Sequence, residues 1–229
     1  MNARADADQE SVRISMDTKA TVNIGEYSRS GRSRGLEPVK AWDHDMRAKE
    51  KLVPGGILEA VSGRSFLFFT GSCKTSDFMV DGLLFWWNQR KQDLCDVKRL
   101  VINLDNGPEC SGRRSQFLLR LTQFVDETGL SVHLIYYPPY HSKYNRIERY
   151  WAGLEKSWNG YLLETVNAVL NRAKNFVWKG FHANVSLLEN VYEKGVKVCG
   201  KGKARLEQRL QRSEQLPLYD IAICPIKVK

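Results

Sequence analysis

The sequence predicts an α/β protein, a mixed β-sheet with helices on both faces. Three observations carry that reading. Period-2 alternation and turn residues crowd the first third of the chain, the pattern of strands joined by hairpins. Later, helical spacing alternates with short β-branched runs, the pattern of strands connected through helices. The composition, 42% hydrophobic and 27% charged over 229 residues, suits a globular chain and excludes collagen-like, low-complexity and wholly disordered classes. A chain of this length buries roughly 70% of its unfolded surface, so its core needs no disulfide or metal.

The elements follow in order. Residues 1–10 read as a frayed polar leader. Val12, Ile14 and Met16 alternate with Arg13 and Ser15, a half-buried strand ending at Asp17, and residues 18–20 turn into a second strand over 21–24. Residues 25–35, rich in Gly, Ser and Arg, read as a basic loop, and 36–56 as irregular chain up to a Pro54-Gly55-Gly56 turn. Strands are expected over 57–61 and 65–70, joined by Ser62-Gly63-Arg64. Thr75 or Ser76 caps a helix running to about Gln92. RLVINL (99–104) is a strand of the kind buried on both faces, stopped by Asp105-Asn106-Gly107-Pro108. A helix over 113–128 closes at Gly129, a strand over 131–137 stops at Pro138-Pro139, and a helix over 143–159 precedes Gly160. Further helix is expected over 162–178 and 185–194, a linker over 195–203 and a short charged helix over 204–214. The domain division is a leader (1–10), a main domain (11–195) and a basic C-terminal extension (196–229).

Composition also bounds function. No apolar run is long enough to span a bilayer; the densest, from Phe78 to Trp87, is broken by Asp81. The N-terminus lacks the basic-then-apolar order of a secretion signal. Five scattered cysteines without a CxxC pair argue for reduced thiols in a cytoplasmic protein and against a zinc site. Net charge is +9, and residues 1–140 carry only +1 of it while residues 141–229 carry +8. A basic C-terminal third suggests a polyanion such as nucleic acid, with a solubilising surface as the plain alternative.

Three carboxylates occupy positions where chemistry collects, beyond strand ends and near helix starts: Asp17, Asp105 and Glu148. The two aspartates are neighbours if strands 11–17 and 99–105 lie side by side, which is an assumption about topology. Glu148 lies about 100° from Ile147 and about 60° from Trp151 around the 143–159 helix, beside the apolar stripe. Three gathered carboxylates repel, by about 4 kcal/mol for two unit charges 4 Å apart at an effective dielectric near 20. Bound Mg²⁺ or Mn²⁺ turns that repulsion into a site of hard oxygen ligands suited to phosphodiester chemistry. Singly, each residue has a structural reading that outweighs the catalytic one: strand-end Asp forms turns, and Glu early in a helix suits its dipole. Their joint placement narrows that gap without closing it.

Longer strings add to this. LDNGPE (104–109), YYPPYHSKYNRIERYW (136–151) and GLEKSWNG (153–160) resemble bacterial insertion-sequence transposases of the ISAzo-thirteen family, distant relatives of mariner-type enzymes. MDTKATVNIGEYSRSGRSRG (16–35) and KAWDHDM (40–46) match earlier blocks of that family, and the resemblance weakens after about residue 200. It implies an RNase H-like domain over 11–195 with a DDE triad of Asp17, Asp105 and Glu148, holding two Mg²⁺ (Mn²⁺ as substitute). The implied partners are DNA, as transposon ends and target, and a second copy in a dimer, with no membrane or small-molecule substrate; the implied location is cytoplasmic and nucleoid-associated. Asn106, Glu109, His141 and Asn145 are candidates for orienting the carboxylates or contacting a phosphate. Arg29, Arg32, Arg34, Lys143, Arg146 and Arg149 are candidates for gripping DNA. Trp86, Trp87, Trp151 and Trp158 read as core, and His44 is discounted as a ligand.

Two departures stand out. The family carries proline where this chain has Arg146, which would loosen the helix start or move its cap to Asn145. Family members also begin with a helix-turn-helix region, so the resemblance implies a truncated reading frame or an isolated catalytic domain. The rival readings are a non-catalytic relic that binds DNA or a full-length transposase and regulates it, and a host nuclease of the same fold.

Overall fold

In the computed structural model the described residues are 2–32, 40–42, 48–138, 141 and 144–226. In chain order the elements are α1 (Asn2–Ala7), β1 (Ser11–Thr18), β2 (Val22–Ile24), β3 (Glu50–Glu59), β4 (Ser65–Thr70), α2 (Ser76–Arg90), β5 (Arg99–Leu104) and α3 (Ser115–Thr128). There follow β6 (Ser131–Tyr136), α4 (Arg146–Trp158), α5 (Val166–Asn175), β7 (Val177–Trp178), β8 (Phe181–His182), β9 (Asn184–Leu187), α6 (Gly200–Glu207), β10 (Leu210–Arg212) and β11 (Asp220–Ile223). Among the described residues no helix is long and apolar enough to cross a membrane.

One sheet organises the chain, in the order β10-β11-β6-β5-β1-β3-β4-β9, with β2 paired to the outer half of β3. β1, β3 and β4 are antiparallel neighbours, while β5 and β6 run parallel to β1 on its other side. An antiparallel run extended by parallel strands with helical connections is the RNase H-like arrangement. Alternation along each strand sends side chains to two cores. On one face α2, α3 and α6 bury Phe78, Trp86, Phe117 and Leu206 against Ile14, Met16, Phe68 and Ile102. On the other, α4 and α5 bury Trp151, Leu154, Trp158 and Val169 against Leu52, Leu58, Leu67 and Phe69.

β1 is buried on both faces, not on one, because its polar residues all find partners. Arg13, only 4% exposed, donates from two nitrogens to the Asp6 carboxylate, at 2.7 and 2.6 Å, and to Asn103 Oδ1 at 2.8 Å. Asn103 in turn donates to Asn2 Oδ1 at 3.1 Å. Residues 2–7 therefore form a helix and not a frayed leader. A six-residue helix is marginal in isolation, and this one is held by the buried guanidinium beneath it.

Other differences share a cause in long-range pairing. β2 pairs with β3, so residues 18–20 form no hairpin back to β1. Pro54-Gly55-Gly56 is no turn: it lies inside β3, where the strand changes partner between Thr18↔Gly55 and Val22↔Leu52. A proline without an N–H is tolerated at such a break in the ladder. A Cβ on Gly55 would stand 2.2 Å from the Phe68 ring, and one on Gly56 2.6 Å from the Trp151 ring, so both glycines mark close approach of aromatics. Where a helix was expected over 185–194, residues 184–187 extend beside β4 as a strand and 188–194 form no helix, and the helix expected over 162–178 ends at Asn175. The linker expected over 195–203 is partly α6, and 210–212 with 220–223 add two strands to the β6 edge. Much of the C-terminal extension is thus built into the sheet.

Gly82 in α2 has the same role as Gly55, since a Cβ there would meet the Phe68 ring at 2.2 Å. In an ordinary helix Gly→Ala gains about 1 kcal/mol. Here overpacking, at about 1–3 kcal/mol, opposes and exceeds that gain. Gly82→Ala is expected to lower the urea midpoint at unchanged m-value; a raised midpoint would show that the Phe68 ring has room to move.

Candidate active site

The parallel register of β1 and β5 runs to Ser15↔Asn103, which delivers Asp17 and Asp105 side by side at one edge of the sheet. The topological assumption made from sequence is present in the fold. Glu148 arrives from the first turn of α4, and a hydroxyl from β1 sets where that turn begins. Ser15 Oγ accepts the Ile147 backbone N–H at 3.0 Å and donates to Asn145 Oδ1. Asn145 is the N-cap, fully buried, and makes no capping bond of its own. A side chain two residues from Asp17 thus does for α4 what a cap residue ordinarily does within its own helix. Arg146 begins the helix without proline, and its Nη1 donates to the Ala60 carbonyl.

Asp17, Asp105 and Glu148 line one cleft of about 300 Å³, together with Lys19, Lys74, Glu109, Cys110 and Trp151. Asp17 is 9% exposed, and its Oδ2 accepts the Trp151 indole N–H at 3.1 Å. Burial, then the charges of Asp105 and Glu148, push its carboxyl up to about 7, although hydrogen bonds from Thr18 and Trp151 oppose the rise. Glu148 is also raised, by burial and by Asp105, with Lys19 opposing.

The loop after β5 is pinned around Asp105. Its Oδ1 accepts the Gly107 N–H at 3.1 Å and lies 3.6 Å from Cys110 Sγ. Tyr136 Oη donates to the Cys110 carbonyl at 2.7 Å. Burial and the neighbouring carboxylates hold the Cys110 thiol protonated, so it does not compete as a thiolate ligand.

The remaining sequence candidates divide. Glu109 lines the cleft and pairs with Lys74 at 3.5 Å. Asn106 adopts a positive φ of 63° and accepts the Gly112 N–H at 3.3 Å, closing the loop. His141 stacks on Tyr144 at 5.8 Å and is not among the residues lining the cleft. Asn145 stands behind Glu148, acting through the helix start. Arg29 is committed to structure: it pairs with Glu155 at 3.6 Å, donates to the Asn23 carbonyl and lies over the Trp158 ring. Arg32 is exposed, and Arg146 and Arg149 line a second cavity on the other side of α4. Arg34, Lys143 and His44 lie outside the described residues. Ser15, Lys19, Lys74 and Trp151 were not singled out for the site; the alternation that put Ser15 and Asp17 on one face and the helical spacing that put Trp151 beside Glu148 were the available signals.

Among the described residues, no three or more His, Cys, Asp or Glu side chains stand as a closed ion-holding group. The donor chemistry nonetheless fits a hard divalent cation: three carboxylates face one cleft, and the nearby thiol stays neutral.

The family described as "Rhodopirellula transposase DDE domain" matches residues 1–225. The chain belongs to this family. No curated protein matches it. Among solved structures, the DDE domain is similar to the Mos1 mariner paired end complex with Mn, at 10% identity and a TM-score of 0.48. That similarity covers 73% of this chain and 48% of the other, so the chain spans about half that neighbour's length.

The cap supplied by Ser15 is open to a direct check in this DDE domain. Ser15→Ala leaves the Ile147 N–H and Asn145 without their buried partner, at a cost of about 1–3 kcal/mol. Urea denaturation should report that loss; a midpoint equal to the parent protein's would show the hydroxyl to be dispensable.

Proposed function

We propose that the chain is the catalytic domain of a DDE transposase that cuts and joins DNA strands, with Asp17, Asp105 and Glu148 holding two Mg²⁺ ions. The observation that carries this is the convergence of the three carboxylates on one cleft, in a chain matching a transposase DDE family over residues 1–225.

The chain's own residues supply positioning. Trp151 and Gly107 each fix one oxygen of an aspartate by an N–H, at 3.1 Å in both cases, so neither carboxylate rotates freely. Glu148 projects from a helix start whose dipole favours a carboxylate. Burial first, and then the gathered charge, raises Asp17 and Glu148, and a divalent cation would favour their ionised forms. When bound, a pair of such ions activates a water or a 3′-hydroxyl and stabilises the leaving oxygen of the phosphodiester. Lys19 and Lys74 stand on the cleft wall, each ion-paired, with Glu155 and Glu109 respectively, and a DNA phosphate would compete with those carboxylates for them.

The test is calorimetric titration of Mg²⁺ and Mn²⁺ into the wild type and Asp105→Asn, each with and without a DNA oligonucleotide, followed by plasmid cleavage and strand transfer. Removing a group behind a metal ligand costs about 10–100-fold in affinity. Loss of a ligand itself is therefore expected to exceed about 100-fold and to abolish metal-dependent cleavage. Wild-type protein that shows neither heat nor cleavage with metal and DNA together would end the enzymatic reading and leave a DNA-binding relic. A second expectation concerns salt. If 6–10 phosphates are engaged, DNA affinity falls about 10³–10⁵-fold between roughly 50 and 200 mM, whereas a flat dependence in an electrophoretic or anisotropy assay would remove DNA as the partner.

A further inference from the structure

A second cavity, of about 350 Å³, opens on the opposite side of the α4 start from the carboxylates, at the small end of ligand-sized cavities. It shares α4 with the cleft and adjoins it along β3, the neighbour of β1. Its floor is Leu58, Glu59 and Ala60, beginning two residues along β3 from Gly56, the residue paired with Asp17. That is about 7 Å of strand. Its wall carries Arg146 and Arg149, which flank Glu148 in sequence.

The lining combines aromatic surface with cations. Tyr144 and Trp178 supply the rings; Arg146, Arg149 and Lys179 supply the charge. The one carboxylate, Glu59, is already engaged: Arg90, which also pairs with Asp93, donates to it at 2.7 Å and Trp86 at 3.2 Å. Among the described residues neither Arg149 nor Lys179 has an ion-pair partner. The cavity lining therefore carries three cations against one carboxylate.

Two further details point to a ligand. The Trp178 indole N–H is buried without a hydrogen-bond partner, a costly state that the fold itself does not relieve. Lys179 occupies the first turn position of the β7–β8 hairpin at φ 49°, followed by Gly180 at φ 85°. Asn or Gly fills that position at less cost, yet a lysine stands there. Its alkyl chain runs over Gly63, where a Cβ would approach it to 2.9 Å.

Rings beside unpaired cations match a nucleotide, whose base stacks while its phosphate takes the charge. We propose that the cavity formed by Tyr144, Arg146, Arg149, Trp178 and Lys179 is a subsite for one unpaired nucleotide of the DNA strand that passes the carboxylate cleft. This rests on the proposed DNA chemistry for its choice of strand, but not for the recognition itself. A base still paired in a duplex has both faces stacked and is not available to the rings, so the subsite discriminates single-stranded from duplex DNA.

The experiment measures affinity of the full chain for a short fluorescent oligothymidylate and for a duplex of equal length at fixed salt. The variants are Trp178→Leu and Lys179→Gly. The second guards against misfolding, because glycine suits the positive φ and should keep or improve stability. Each variant is expected to lose about tenfold in oligothymidylate affinity and much less in duplex affinity, given the usual worth of a stacked base. Unchanged oligothymidylate binding in both variants would overturn the proposal, as would an equal loss for both DNAs, which would mark a general phosphate patch. Metal-dependent cleavage by the wild type, with Asp105→Asn as the inactive control, separates the two readings. Cleavage without a Trp178- and Lys179-dependent strand preference leaves the transposase reading and removes the subsite. That preference without cleavage does the reverse.

Discussion

The geometry of the carboxylate cleft depends on one hydroxyl. Ser15 Oγ takes the Ile147 N–H and gives its own proton to Asn145, joining the central strand to the start of α4. Both groups are buried, so the bond has no water to compete with it and no cheap substitute. Because Ser15 and Asp17 share a face of β1, and Glu148 is one residue from Ile147, this contact sets the position of a helical carboxylate relative to a strand carboxylate. The third carboxylate is set by the β1–β5 ladder. Two backbone relationships and one side chain therefore define the site, and none of them requires an ion to be present.

A second chain of cause runs through the glycines of β3. Gly56 pairs with Asp17 and carries no Cβ, which lets the Trp151 ring lie against the strand. That ring brings its N–H to Asp17 and covers it, and the cover is what raises the carboxyl. The same packing anchors α4 to the sheet, so the burial that strains Asp17 electrostatically also fixes Glu148. Stability and charge frustration thus come from one contact.

Net charge reads differently once the partners are known. Part of the basic C-terminal third is engaged internally: Arg209 takes Asp126 at 2.7 Å and Arg212 takes Glu207 at 3.0 Å, tying the last strands and α6 to the domain. Arg29, expected to grip phosphates, holds Glu155 instead. Among the described residues, the cations without an ion-pair partner include Arg149 and Lys179, beside the second cavity. A charge count says that a polyanion suits the chain, but only the pairing says where it would sit.

What the sequence determined by itself is what neighbouring residues decide. The strand character of β1, the β-branched run of β5, a cap for α2 at Thr75 or Ser76, the Gly129 stop of α3 and the apolar stripe of α4 are local patterns, and the fold contains them, with Thr75 as the cap. The strings around Asp17, Asp105 and Glu148 marked the three residues that meet in the cleft. What only the tertiary structure decided depends on contacts distant in sequence. Residues 184–187 read as helix because their strand identity comes from β4, more than a hundred residues away. Pro54-Gly55-Gly56 read as a turn because the reason for the glycines is two rings elsewhere in the chain. The leader is a helix because Arg13 is buried beneath it. The cap on α4 comes from Ser15, 130 residues before Asn145. Local pattern selects an element's type, whereas a hydroxyl without a local partner, a glycine without a turn and an arginine without water acquire their meaning only when the sheet brings their partners to them.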